Sequence, residues 1–245
     1  MRKLISYFGA ALLFLCFTVL PVQPVSAQNF LSYTAPDQKP VPTSPEYVAM
    51  IFSKLSGEQP DFASWARNTE AYQNASRFDQ PMVQEREAEK LKNIFSLLAW
   101  QDPLTIETPV KLSAYSAANK GFLIDNFTEK TFLPVRYSGQ SYAVIAERLM
   151  DRQWVDVPDS AVAETMETAA AKNKEHMLIM SLTLIPKYAD NGSQATLEGE
   201  KYWLLSAEIK KALIFDPASS AVLWRSTEDP AAEDPKLQEL LKLRQ

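Results

Sequence analysis

Residues 201–225, Lys-Tyr-Trp-Leu-Leu-Ser-Ala-Glu-Ile-Lys-Lys-Ala-Leu-Ile-Phe-Asp-Pro-Ala-Ser-Ser-Ala-Val-Leu-Trp-Arg, decide how this chain folds. Trp203, Leu205, Ala207, Ile209, Leu213 and Phe215 are spaced to share one face of a strand, because successive side chains alternate across a pleated backbone. Lys211 interrupts that face, and a β-bulge there accounts for the interruption. Asp216-Pro217-Ala218-Ser219-Ser220 has turn chemistry with proline in second position, and Val222 and Trp224 alternate back. Upstream, Met177 to Tyr188 places Leu178, Met180, Leu182 and Leu184 on one face and Ser181 and Thr183 on the other. Three consecutive strands make an antiparallel meander, so the stretch is first of all a core hairpin.

Working outward, the N-terminal half has a different period. Ser44 is placed to cap a helix with Pro45 at its first position; Tyr47, Val48, Ile51 and Leu55 recur at helical spacing, and Gly57 ends it. A second helix is expected from Asp61, with Phe62, Trp65, Ala66, Thr69 and Tyr72 on one side. A third follows Asp79, with Val83, Leu91, Ile94, Phe95 and Leu98 inward and Glu85 to Lys92 as a solvated face. Asp102-Pro103 stops it.

Alternation takes over at Leu104, Ile106, Val110 and Leu112, then Phe122, Ile124 and Phe127, with Asn119-Lys120-Gly121 as the turn. Thr131 to Tyr137 reads as another strand. Residues 141–151 fit helix or strand, and helix is the expectation. Pro158 to Lys174 reads as a helix with Val162, Met166 and Ala169/Ala170 inward. A last short helix is expected over Asp234–Arg244, where Leu237, Leu240 and Leu241 share a side and docking on the same domain is expected. The fold class is α+β: N-terminal helices, then a mainly antiparallel sheet with a C-terminal three-stranded meander and a short terminal helix.

The chain opens with Arg2 and Lys3, an apolar run from Tyr7 to Val22, and Val25-Ser26-Ala27, the pattern of a signal peptide cleaved after Ala27. The run is shorter than a membrane span and Pro21 and Pro24 follow, so no span is expected after cleavage. The only cysteine, Cys16, leaves with the signal, and Leu13-Phe14-Leu15 before it does not suit lipid anchoring. Disulfides and cysteine ligands are thereby excluded. Residues 28–45 form a Pro-rich spacer, and residues 46–245 a single α+β domain. Losing Arg2 and Lys3 takes the net charge from −5 to −7, which argues against nucleic acid as a partner.

Chemistry-bearing patterns are sparse. Gly139-Gln140-Ser141-Tyr142-Ala143 is a relaxed G-x-S-x-G elbow and resembles that of the α/β-hydrolases over five residues. The resemblance implies Ser141 as nucleophile, the sole histidine His176 as base, and an acid from Asp151, Asp156 or Asp159, with Asp159 the choice. The final glycine is alanine here and no glycine-rich oxyanion loop is present; the competing reading has Gly139 in a turn and Ser141 as a helix cap. One histidine cannot build a histidine-rich metal site, and no H-E-x-x-H occurs. Asp190-Asn191-Gly192 with Glu198 imitates half of a calcium loop but puts Lys187 and Ala189 at the first ligand positions, so a strand connection is expected. No metal and no cofactor is expected. Carboxylate pairs such as Glu198 with Glu200, or Glu208 with Asp216, would suit a glycosidase at the right separation. Trp65, Trp100, Trp154 and Trp203 fit apolar stripes or strand faces rather than a sugar platform with Trp224.

Arg-Asn-Thr-Glu-Ala-Tyr-Gln-Asn (67–74) and Glu-Thr-Pro-Val-Lys-Leu-Ser-Ala-Tyr (107–115) resemble an uncharacterised family of bacterial exported proteins. The resemblance implies localisation and no reaction. Together these readings describe a periplasmic or secreted accessory or binding protein without catalysis, whose partner is an envelope protein or a small ligand. The alternatives are an exported hydrolase through Ser141 and His176 or two carboxylates, and a small-ligand carrier with an apolar cavity facing Leu182 and Ile209.

Overall fold

The structure, a computed structural model, describes residues 39–226. The expected signal peptide with Cys16, the spacer up to residue 38 and the expected helix at 234–244 lie outside the described residues.

Ser44 and Gly57 bracket α1 (Pro45–Ser56): the Ser44 hydroxyl accepts from the Tyr47 N–H, and Gly57 takes the left-handed conformation at φ 74° that closes the helix. Val48 to Ser53 are buried. The second expected helix divides in two, α2 (Phe62–Ala66) capped by Asp61 and α3 (Glu70–Gln73) capped by Thr69. Thr69 was expected on an apolar stripe, but its hydroxyl accepts the Tyr72 N–H and starts a new helix.

α4 (Gln80–Leu97) buries Val83, Glu87 and Leu91. Glu87 departs from the expected solvated face because it is four residues from both Val83 and Leu91, on the inward stripe. It is retained there by Lys90 Nζ at 2.7 Å and Arg86 Nε at 3.2 Å. The hydrogen bond from Lys90 is the main reason its carboxyl lies below the usual glutamate range, with Arg86 adding to it.

The strands are β1 (Leu104–Lys111), β2 (Gly121–Leu123), β3 (Leu133–Tyr137), β4 (Gln140–Glu147), β5 (Trp154–Asp156), β6 (Met177–Leu197), β7 (Glu200–Phe215) and β8 (Val222–Arg225), with α5 (Ser160–Lys172) before β6. The main sheet runs β1-β6-β7-β4-β3, and β8 pairs with β7 beyond β4; β2 and β5 form a separate ribbon. The protein is α+β, and its sheet is mixed rather than mainly antiparallel, because β4 lies parallel to β7, Tyr142 to Glu147 against Trp203 to Glu208. The meander β6-β7-β8 is antiparallel throughout.

Residues 140–147 form a strand, not the helix expected from 141. Its run Tyr142-Ala143-Val144 is buried on both faces, so it carries no alternation, as a central strand with a parallel neighbour does not. A one-turn 3-10 helix follows at Leu149–Arg152. β6 also extends beyond the expected limit, through Asn191-Gly192 to Leu197.

The bulge expected near Lys211 is present between Thr183/Lys211 and Leu184/Ile209, with Lys210 as the extra residue. Its effect reverses part of the expected face: Ala212 and Ile214, opposite Leu182 and Met180, join Leu205, Ala207 and Ile209 in the core, while Leu213 and Phe215 turn to the other side. α1 covers the core face around Tyr142 and Trp203, both in ring contact with Phe52. α5 and the ribbon bring Met166, Phe122 and Val155 into the same core. Ala163, not Val162, begins the inward stripe of α5. The end of the spacer is fastened to β1: the Thr43 N–H donates to the Thr105 carbonyl at 2.8 Å, and Lys39 Nζ lies 3.2 Å from Glu107 Oε1. Among the described residues no helix is long and apolar enough to cross a membrane.

Candidate functional site

The β4–β7 ladder sets Glu147 opposite Glu208. Both point away from the face that Ala146 and Ala207 give to the core, because alternation sends neighbours to opposite sides. Lys187 of β6 reaches across to both, its Nζ 3.0 Å from Glu147 Oε2 and 3.1 Å from Glu208 Oε2. The remaining oxygens are also occupied: the Ser206 hydroxyl donates to Glu147 Oε1 at 2.6 Å and Lys210 Nζ to Glu208 Oε1 at 2.6 Å. The 3-10 turn after β4 brings Arg148, Asp151 and Arg152 to the rim, with Arg148 in the left-handed region at φ 58° and its Nε donating to Asp151 at 2.6 Å. With Ile209 they enclose a cleft of about 330 Å³.

The protonation states follow from the bonds. The Ser206 hydroxyl, then Lys187, hold the Glu147 carboxyl below the usual glutamate range. Lys210, then Lys187, do the same for Glu208. Glu147 and then Glu208 raise Lys187. Two carboxylates that share one ammonium stand close enough for two-acid chemistry, but both are ionised at neutral pH, and a general acid needs one of them pushed up. The cleft therefore offers fixed alternating charge for binding a polar or charged group.

The residues expected to carry chemistry lie elsewhere. Ser141 is the second residue of β4, in register with Arg136, and the Gly139 before it (φ 76°) forms a two-residue hairpin turn with Ser138 (φ 50°). The nucleophile elbow requires a strand-turn-helix context, and the hairpin replaces it. Asp159 caps α5 through the Ala161 N–H. His176 closes a 3-10 turn at φ 55° and borders a groove with Leu112, Phe122 and Glu167.

Of the expected acid pairs, Glu200 bonds Arg136 and the Tyr202 hydroxyl, while Glu198 and Gly199 make the β6–β7 turn at φ 51° and 85°. Asp216 accepts from Asn173 at 2.8 Å and Ser219 at 2.7 Å, and Glu208 pairs with lysines instead of with it. Lys187, the wrong residue for a calcium loop, is the centre of the cleft. Leu182 is sealed in the core, and Ile209 borders the charged cleft rather than an apolar cavity. Among the described residues no group of three or more His, Cys, Asp or Glu side chains converges as a metal site. Trp100 and Trp154 are exposed, unlike the expectation that both are core. Sequence reasoning missed the Glu147–Lys187–Glu208 set because the three residues meet only through strand register.

The chain matches no family model, and comparison with the curated proteins and with the solved structures returns no match either.

Proposed function

We propose that this is an exported envelope accessory protein that works by binding rather than by catalysis. The observation that carries the reading is the closed charge pattern of the cleft: every carboxylate oxygen of Glu147 and Glu208 is held by a lysine or a hydroxyl, and both acids are kept ionised. Such a site recognises charge and shape without donating a proton. Export is supported by the Arg2-Lys3 start, the apolar run and Val25-Ser26-Ala27. An accessory of this kind acts through a partner.

Crosslinking in the native host, followed by mass spectrometry of covalent adducts, tests the proposal. A variant ending at Glu233 and a Lys187→Met variant serve as comparisons. A reproducible adduct with an envelope protein is the expected result, and its dependence on Lys187 would place the contact at the cleft. Turnover of a polysaccharide or ester by the purified protein would overturn the non-catalytic reading.

A further inference from the structure

The outer face of the β2–β5 ribbon carries a feature that the cleft does not explain. The register pairs Gly121 with Asp156 and Leu123 with Trp154, with Phe122 and Val155 turned into the core. Trp154 leans across the ribbon into the space that Gly121 leaves. A Cβ at position 121 would stand 2.7 Å from Trp154 Cζ2 and 2.8 Å from Cε2. The indole is thus held over the backbone directly across from Asp156, with 37% of the residue still exposed.

A second indole approaches from the sheet. Trp224 of β8 donates its Nε1–H to the Asp156 carbonyl at 2.9 Å. Asp156 is exposed, and among the described residues its carboxylate has no hydrogen bond or ion pair. By contrast, the acids of the cleft are each bonded to a cation or a hydroxyl.

We infer that Trp154, Asp156 and Trp224 form a receptor for a basic side chain, lysine or arginine, presented by a partner protein. Indole faces attract cations through the ring quadrupole, and tryptophan does so best. A carboxylate beside them that has no partner among the described residues supplies the opposite charge, and the acidic chain as a whole, at −5, draws basic partners. Leu123, exposed beside Trp154, gives the aliphatic stem of such a side chain an apolar surface to lie on. The site gives the proposed binding protein a partner chemistry and rests on that reading for its purpose. A crosslinked partner touching only another surface would leave the reading intact and remove this site.

The test uses the full chain labelled with 5-fluorotryptophan, whose five indoles give resolvable fluorine signals; Trp154→Phe assigns the relevant one. Trilysine is titrated in, with triglutamate and chitotriose as the acidic and neutral sugar probes. A saturable shift of the Trp154 signal with trilysine alone is expected, and Asp156→Asn should weaken it about fivefold, the scale of one exposed charge pair. Since Asp156 is exposed, that variant should melt with the wild type. Trilysine binding that ignores Asp156→Asn, a Trp154 signal that answers chitotriose instead, or no saturable shift would each overturn the inference.

Discussion

Glu147 and Glu208 face each other across the parallel β4–β7 ladder and share the ammonium of Lys187. Two like charges at facing positions of a sheet repel unless a cation lies between them, so the lysine determines what this pair can do. With their folded values lowered, the two acids add stability that is present above the usual glutamate range, near pH 4.3, and lost as the pH falls through the folded values. Lys187→Met should return both acids toward ordinary values. It should therefore lower stability at pH 7 and flatten its decline between pH 5 and pH 3, as read from urea midpoints. An unchanged pH profile would deny the lysine this role.

Ser141 is a strand residue after a hairpin turn, so a fluorophosphonate probe should leave the purified protein unlabelled. Labelling that disappears in Ser141→Ala would contradict the binding-protein reading and restore the hydrolase one.

Two glycines should respond to alanine for different reasons. At Gly121 a Cβ would meet the Val155 carbonyl oxygen at 2.4 Å, and backbone cannot give way cheaply, so a loss of about 2 kcal/mol is expected. At Gly139 nothing lies within 4 Å, but φ is +76°, and the strain alone should cost about 1 kcal/mol. Denaturant unfolding of both variants separates steric from conformational cost.

Tyr47 fixes α1 to the start of the sheet by donating its hydroxyl to Asp102 Oδ2 at 2.9 Å. Burial, then Asp102, raises the phenol far above its ordinary range, so it stays a donor at every physiological pH. Tyr47→Phe should cost about 1 kcal/mol, the usual worth of one hydrogen bond, in urea unfolding at pH 7. A neutral result would assign the anchoring to packing alone.

Local signals carried much of this fold into the sequence. Ser44 and Gly57 bound α1 as their chemistry demands, and the alternation from Leu178 to Leu184 and the bulge near Lys211 are where periodicity puts them. What failed is non-local. Tyr142 to Val144 lost its alternation because neighbours cover both faces, and Glu87 entered an apolar stripe because Arg86 and Lys90 accompany it. Leu213 and Phe215 changed sides because one inserted residue, Lys210, shifts the period. Deleting Lys210 should therefore remove the bulge, keep Ala212 and Ile214 in the core and leave unfolding cooperative by circular dichroism, whereas deleting Lys211 as well should turn both out and abolish that cooperativity. The cleft was illegible for the same reason: residues 187 and 208 meet through the β6–β7 register, and 147 joins them only when β4 pairs with β7.

The two-residue turns at Ser138-Gly139 and Glu198-Gly199 let each hairpin close from nearby residues, whereas the seam joining them unites strands about sixty positions apart. This seam and the β1–β6 one, whose partners stand 66 to 80 positions apart, are both expected to close after the hairpins. Until β4 arrives, residues 203–208 of β7 present an open strand edge, the kind that recruits other chains. A molecule still folding is thus most vulnerable to aggregation while two finished hairpins wait to meet, and pulse-labelled hydrogen exchange during refolding should find the β7 edge at 203–208 protected later than the two hairpin turns.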